Sequence, residues 1–150
     1  MRAVIQRVSE ASVSVEEKII AEIGAGLLIL LGVESLDTKE DAFWLANKIA
    51  HLRIFSDSDK KMNHSVLDVD GDIIVVSQFT LCAKTKKGNR PSYVDAANSG
   101  QAVYLYRKFK TDLSDLLSKK VKSGQFGADM KVSLLNDGPV TIIIDTKNKN

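Results

Sequence analysis

Residues 2–15 alternate apolar and polar side chains, the period of a half-buried strand. The apolar phase is even at Val4 and Val8, then odd at Ala11, Val13 and Val15. A change of phase needs an extra residue, so the pattern predicts a bulge or bend near Ser9–Glu10. Ile19–Ile23 reads as a second strand. After the turn Gly24-Ala25-Gly26, Leu27–Val33 reads as a third strand, apolar throughout. Asp37–Arg53 carries Ala42, Leu45, Ala46, Ile49 and Leu52 at helical spacing, the stripe of an amphipathic helix. Asp37 or Thr38 would cap it, with Glu40 three residues after Asp37 as in a capping box. Ser56–Asn63 reads as a polar loop and Ser65–Val69 as a short strand. A second helix is predicted over Ser99–Lys119, capped by Asn98 or Ser99. Met130–Leu135 and Val140–Asp145 read as strands joined across Asn136–Pro139.

The stretch Asp72–Leu81 stands apart. Ile73 to Val76 are four branched apolar residues in a row, the mark of a strand buried on both faces. Ser77, Gln78, Phe79 and Thr80 follow at once. Polar groups at the end of a core strand must find partners or face a cleft. Six to seven strands and two long helices imply an α+β domain over residues 1–150. Its sheet would be curled, barrel-like and antiparallel-rich, with the helices outside it.

The chain has 150 residues, enough for one domain with a real core. Its net charge of +2 is too small to mark a nucleic-acid binder by itself, so any such contact needs local patches. Ala83–Arg90 is one, with Lys84, Lys86, Lys87 and Arg90 leaving directly from the candidate site. The single cysteine, Cys82, excludes an internal disulfide and suits a reducing compartment. It follows a buried strand and reads as a small packing residue. His51, His64 and Cys82 lack metal-ligand spacing, and no apolar run is long enough for a bilayer helix.

Two motifs carry a resemblance. SQFTL at 77–81 and NDGPVT at 136–141 resemble the signature motifs of the D-aminoacyl-tRNA deacylases. MRAVIQRV at the start, RPSY at 90–93 and FGADM at 126–130 are similar to that family in the same order. Tyr93 and Asn89 depart from its pattern, where phenylalanine and a basic residue are usual. The resemblance implies a cytoplasmic homodimer that hydrolyses the ester of tRNA carrying a D-amino acid or glycine. It implies no cofactor, no metal and no membrane. It implies that Gly138–Pro139 is cis and enters the partner's site in trans, with Asn136 and Thr141 fixing the turn.

Thr80, Gln78 and Ser77 are then the candidate catalytic groups, and Phe79, Gly138, Pro139, Asn136 and Thr141 the substrate-binding ones. Phe79 would stack on the terminal adenosine or pack in the core. No histidine or carboxylate adjoins the hydroxyls in sequence, so a serine-hydrolase triad is unsupported. Thr80 as nucleophile stands against backbone groups and the ribose 2′-hydroxyl. The second is favoured, because an unactivated hydroxyl is a poor nucleophile. Two other readings keep their place. One is a non-enzymatic nucleic-acid binder using Lys84–Arg90 and Lys119–Lys122. The other is an editing domain like that of some threonyl-tRNA synthetases, which would remove L-serine.

Overall fold

The computed structural model describes residues 1–149. Its strands are β1 (Arg2–Val15), β2 (Lys18–Ile23), β3 (Gly26–Gly32), β4 (Phe55–Ser56), β5 (Met62–His64), β6 (Asp72–Ser77), β7 (Lys122–Ser123) and β8 (Lys131–Asp145). Its helices are α1 (Lys39–Ala50) and α2 (Ser99–Leu117). The main sheet runs β2-β1-β3-β6-β7, with β8 also on β1. β1 pairs antiparallel with β2, β3 and β8, whereas β3–β6 and β6–β7 are parallel. The sheet is therefore mixed and curls into a nearly closed barrel. Parallel neighbours need long crossovers, and these are what carry α1 and α2.

Two apolar cores result. Leu27, Ile29 and Leu31 of β3, with Ile73 and Val75 of β6, face the helices. Leu28, Ile74 and Val76 face the inside of the curl. Both central strands are thus buried on two faces, as their unbroken apolar runs predict. β1 serves both cores. Ala3 and Ile5 pack toward the helices, while Val8, Ala11 and Val13 line the interior. The parity change is present: the β1–β8 ladder shifts between Val8 and Glu10. The extra residue keeps Val8 and Val13 in the same core despite their opposite parity.

Five local expectations are corrected. The capping box of α1 uses Thr38 and Asp41, one residue later than Asp37 and Glu40. Asp37 is drawn inward, 5% exposed, where it pairs with the Met1 α-ammonium at 2.5 Å and accepts from the Glu34 N–H at 2.6 Å. Ser56–Asn63 is no plain loop, because β4 and β5 pair across it. Ser65–Val69 is a turn and not a strand. The Ser65 N–H and hydroxyl both donate to Asp68, at 2.7 and 2.9 Å, a local bond that competes with a ladder. The C-terminal pair of strands is one long strand, β8, that meets β1 in two registers. The helices also stop short of the expected ends, α1 at Ala50 and α2 at Leu117.

Candidate active site

The ladder between β3 and β6 runs through Leu31↔Ser77, and the Gln78 N–H extends it to the Leu31 carbonyl at 2.8 Å. The chain then winds into a 3₁₀ turn, Phe79–Cys82. Gly32 makes room for it. A Cβ there would lie 3.1 Å from the Gln78 carbonyl and 3.2 Å from the Cys82 sulfur, so the turn can lie directly on the end of β3. Arg2 fastens the turn from β1, donating to the Leu81 carbonyl at 3.0 Å. It also pairs with Glu34 at 3.0 Å and Asp145 at 3.3 Å. Cys82 is buried behind the turn. Burial, then the Glu34 carboxylate, push its thiol up to about 11. It stays a neutral packing group, as expected, because the thiolate is the reactive form.

Beside the turn lies a cavity of about 300 Å³, at the small end of the ~300–1,000 Å³ usual for ligand sites. Ser77, Gln78 and Phe79 line one side. Ala102 and Tyr106 of α2 line another, and Phe126–Ala128 with Met130 close it. The Tyr106 hydroxyl donates to the Val75 carbonyl at 2.9 Å, and burial pushes its pKa up to about 12. It is a fixed neutral wall, with the Phe126 ring 5.7 Å away. Phe79 is 58% exposed, its ring edge-on to Tyr93 at 5.0 Å. The core alternative for Phe79 is thereby excluded.

Thr80 is exposed and, unlike Ser77, Gln78 and Phe79, is not part of the cavity lining; Gln78 Nε2 donates to its hydroxyl oxygen at 2.5 Å. An oxygen that already accepts a strong bond has less electron density to give an electrophile, while its own proton is free to be donated. Among the described residues, no histidine or carboxylate lines the cavity. His51 faces the Asn47 carbonyl on α1, and His64 lies in β5.

Asn136, Gly138, Pro139 and Thr141 are not part of the cavity lining. They form an exposed arm where β8 leaves β1. Gln6 pairs with Thr141 and Val8 with Asn136, so five steps on β8 span two on β1. The Gly138–Pro139 peptide is cis. Gly138 has φ 132°, and a Cβ there would sit 2.8 Å from the Arg7 guanidinium. Only glycine suits that position. Asn136 Oδ1 accepts from the Val140 N–H at 3.0 Å and Asn136 Nδ2 donates to Thr141 at 3.1 Å. Arg7 donates to the Asp137 carbonyl at 2.9 Å and to the Ile54 carbonyl at 2.7 Å. Arg7 and Tyr106 are absent from the sequence-level candidates. Arg7 reads there as one polar step in an alternating strand, and Tyr106 as one member of a helical stripe.

The structure is thus a curled mixed sheet with an apolar cavity at the end of a parallel strand, edged by hydroxyl and amide groups. A family model described as D-Tyr-tRNA(Tyr) deacylase matches residues 4–145. The D-aminoacyl-tRNA deacylase of Flavobacterium psychrophilum is 61% identical over 149 residues, covering 99% of both chains. That of Christiangramia forsetii is 62% identical with the same coverage. Among solved structures, the c-Myc DNA unwinding element binding protein superposes with a TM-score of 0.91 at 40% identity, covering 97% of this chain and 98% of its own. The chain belongs to the D-Tyr-tRNA(Tyr) deacylase family. It is an ester hydrolase, and its bond is that of a D-amino acid to tRNA.

Proposed function

We propose that the enzyme is a chiral proofreader that works as a homodimer in the cytoplasm. Each Gly138–Pro139 arm enters the pocket of the other subunit and presents backbone carbonyls to the chiral centre of the bound amino acid. Backbone dipoles can hold the amino group and the α-hydrogen while the D side chain stays free, so many D-amino acids are accepted. An L side chain would collide with the arm, which is specificity by rejection. Glycine has no substituent to reject, so glycyl-tRNA is a further substrate. The tRNA 3′ end lies against Phe79. Water attacks the ester carbonyl carbon, the bond to the ribose oxygen breaks, and the ribose takes the proton. Ser77, Gln78, Thr80 and backbone N–H groups near Phe79 position the water and stabilise the oxyanion.

One observation carries this reading. The arm stands exposed, held at both ends by Arg7 and Asn136, yet outside the lining of its own chain's cavity. That is the arrangement expected of a part that completes another subunit's site. Matched D- and L-tyrosyl-tRNA test it. Release from the D-ester should proceed in the presence of chelator while the L-ester persists. Equal rates on the two would defeat the chirality argument. A second reading, binding without turnover, draws on the structural relative named for DNA binding. It predicts a shifted tRNA band in a gel with no amino acid released.

A further inference from the structure

Of the basic residues in the stretches near the site, Lys84 and Lys119 are already paired, while Lys86, Lys87 and Arg90 make no ion pair among the described residues. Lys84 meets Asp95 at 2.5 Å, and Lys119 meets Asp70 at 2.8 Å and Asp72 at 3.3 Å. Both belong to the basic stretches that stand out in the sequence. Arg107, Lys110, Lys120 and Lys122 are also without a carboxylate partner among the described residues. Lys110 donates to the Ser123 hydroxyl at 2.7 Å and Lys122 to the Glu22 carbonyl at 2.6 Å. These neutral partners fix the side chains and leave the charge uncancelled. Lys110, Lys120 and Lys122 line one groove between β2 and the C-terminal half of α2, where among the described residues Glu22 is the one carboxylate in the lining, and Arg107 lies one helical turn before Lys110 on α2. Burial, then the charges of Arg107 and Lys120, lower the pKa of Lys110. The cations are therefore close enough to repel one another, an arrangement that costs stability unless an anion joins it. Helix polarity favours Lys120 and Lys122, which follow the C-terminus of α2. It does not account for Arg107 and Lys110 in mid-helix.

Lys110 links the groove to the cavity wall. The Lys110 ammonium lies 5.1 Å from the Tyr106 ring centre, and Tyr106 is a wall of the cavity. From Tyr106 to the end of α2 is about 16 Å of helix, long enough for several phosphates of one strand. We infer that Arg107, Lys110, Lys120 and Lys122 form the track along which the sugar–phosphate backbone of the tRNA leaves the pocket. This rests on the proposed tRNA substrate. It also assigns the main electrostatic contact to the Tyr106 side of the pocket, and not to the loop Lys84–Arg90 on the Phe79 side.

The test compares two substrates that share the reacting end. One is full-length D-tyrosyl-tRNA. The other is a D-tyrosylated trinucleotide with the same 3′ end and no body to reach the track. The variant R107Q/K120Q/K122Q should raise KM for the tRNA about tenfold at moderate salt. It should also flatten the log KM against log salt slope by about 2 to 3, one contact's worth per lost cation. Its kinetics on the trinucleotide should stay within twofold of the unaltered enzyme. Arg107→Lys should restore most of what Arg107→Gln loses, because charge is what the track supplies. An unchanged KM and salt slope for the triple variant would overturn the assignment. So would equal losses on tRNA and trinucleotide, or the whole effect moving to a K86Q/K87Q loop variant. If the unaltered enzyme released D-tyrosine from neither substrate, the proposed function itself would fall, and the track with it.

Discussion

At the residue scale the most informative contact is the bond from Gln78 to the Thr80 oxygen, 2.5 Å long. It orients the hydroxyl as a donor. A hydroxyl that accepts from an amide, with no base in the cavity lining, is suited to holding a water or an oxyanion. It is ill-suited to attack. Thr80→Ser should therefore change kcat by less than about threefold. Thr80→Ala should retain roughly 0.1–1% of kcat, the usual cost of one lost oxyanion donor. Steady-state deacylation of D-tyrosyl-tRNA measures both, and a trapped aminoacyl–Thr80 adduct would refute the assignment. Gln78 has the same job seen from the other side, since without its amide the hydroxyl is free to turn away.

At the scale of elements, α1 shows how a cap is chosen. Asp41 closes the box with Thr38, whose N–H donates to it at 2.9 Å, and it also receives Lys147 at 2.7 Å. Burial alone would raise its pKa. The bonds from Lys147 and Thr38 outweigh that and hold it down at about 2, against an ordinary 3.8. A depressed carboxylate contributes stability above its unfolded pKa and loses it as pH falls through the folded one. The advantage of the unaltered chain over Asp41→Asn, about 1 kcal/mol for a lost cap, should be constant above pH 4. It should fade toward pH 2. Urea midpoints across that range check it. The cap was legible to within one residue only, because Asp37 is claimed by Met1, 36 positions away. Local pattern cannot see such a partner. Ser65–Val69 failed for the opposite reason, since its apolar residues suggest a strand while one serine–aspartate contact decides a turn. β6 and the parity change in β1 were legible because burial on two faces, and one extra residue, each leave a mark in the sequence itself. Of the site, the polar turn could be read directly. Its far wall, Tyr106 and Phe126–Met130, arrives through the crossover after β6, which no local window contains.

On the proposed reading, the site of the whole molecule is divided between two chains. Two lesions on different chains should then complement each other. A Gly138→Ala arm variant mixed with a Gln78→Ala pocket variant, each inactive alone, should yield heterodimers with one intact site and one doubly defective site. About a quarter of full activity is expected from statistical mixing, because half the dimers are mixed and each has one good site of two. Deacylation after exchange of subunits reads this directly. Heterodimers that form without recovered activity would place the arm in its own subunit's site.

The strand β8 has a consequence for how this protein can change over generations. Ile142 and Ile144 pack on the helix-side core, yet Ile143 between them is 75% exposed. Three identical residues in a row carry no record of which one belongs inside. A one-residue slip would exchange the faces and still leave one isoleucine, Ile143, packed on the core. Register is kept instead by polar fastenings beyond each end. Asn136 clasps Val140 and Thr141, Arg2 meets Asp145, and the Thr146 N–H donates to the Met1 carbonyl at 2.9 Å. Loss of a single codon between 136 and 141 would leave an isoleucine on the core and pull those fastenings out of step. The length of the arm is thus inherited as a fixed count.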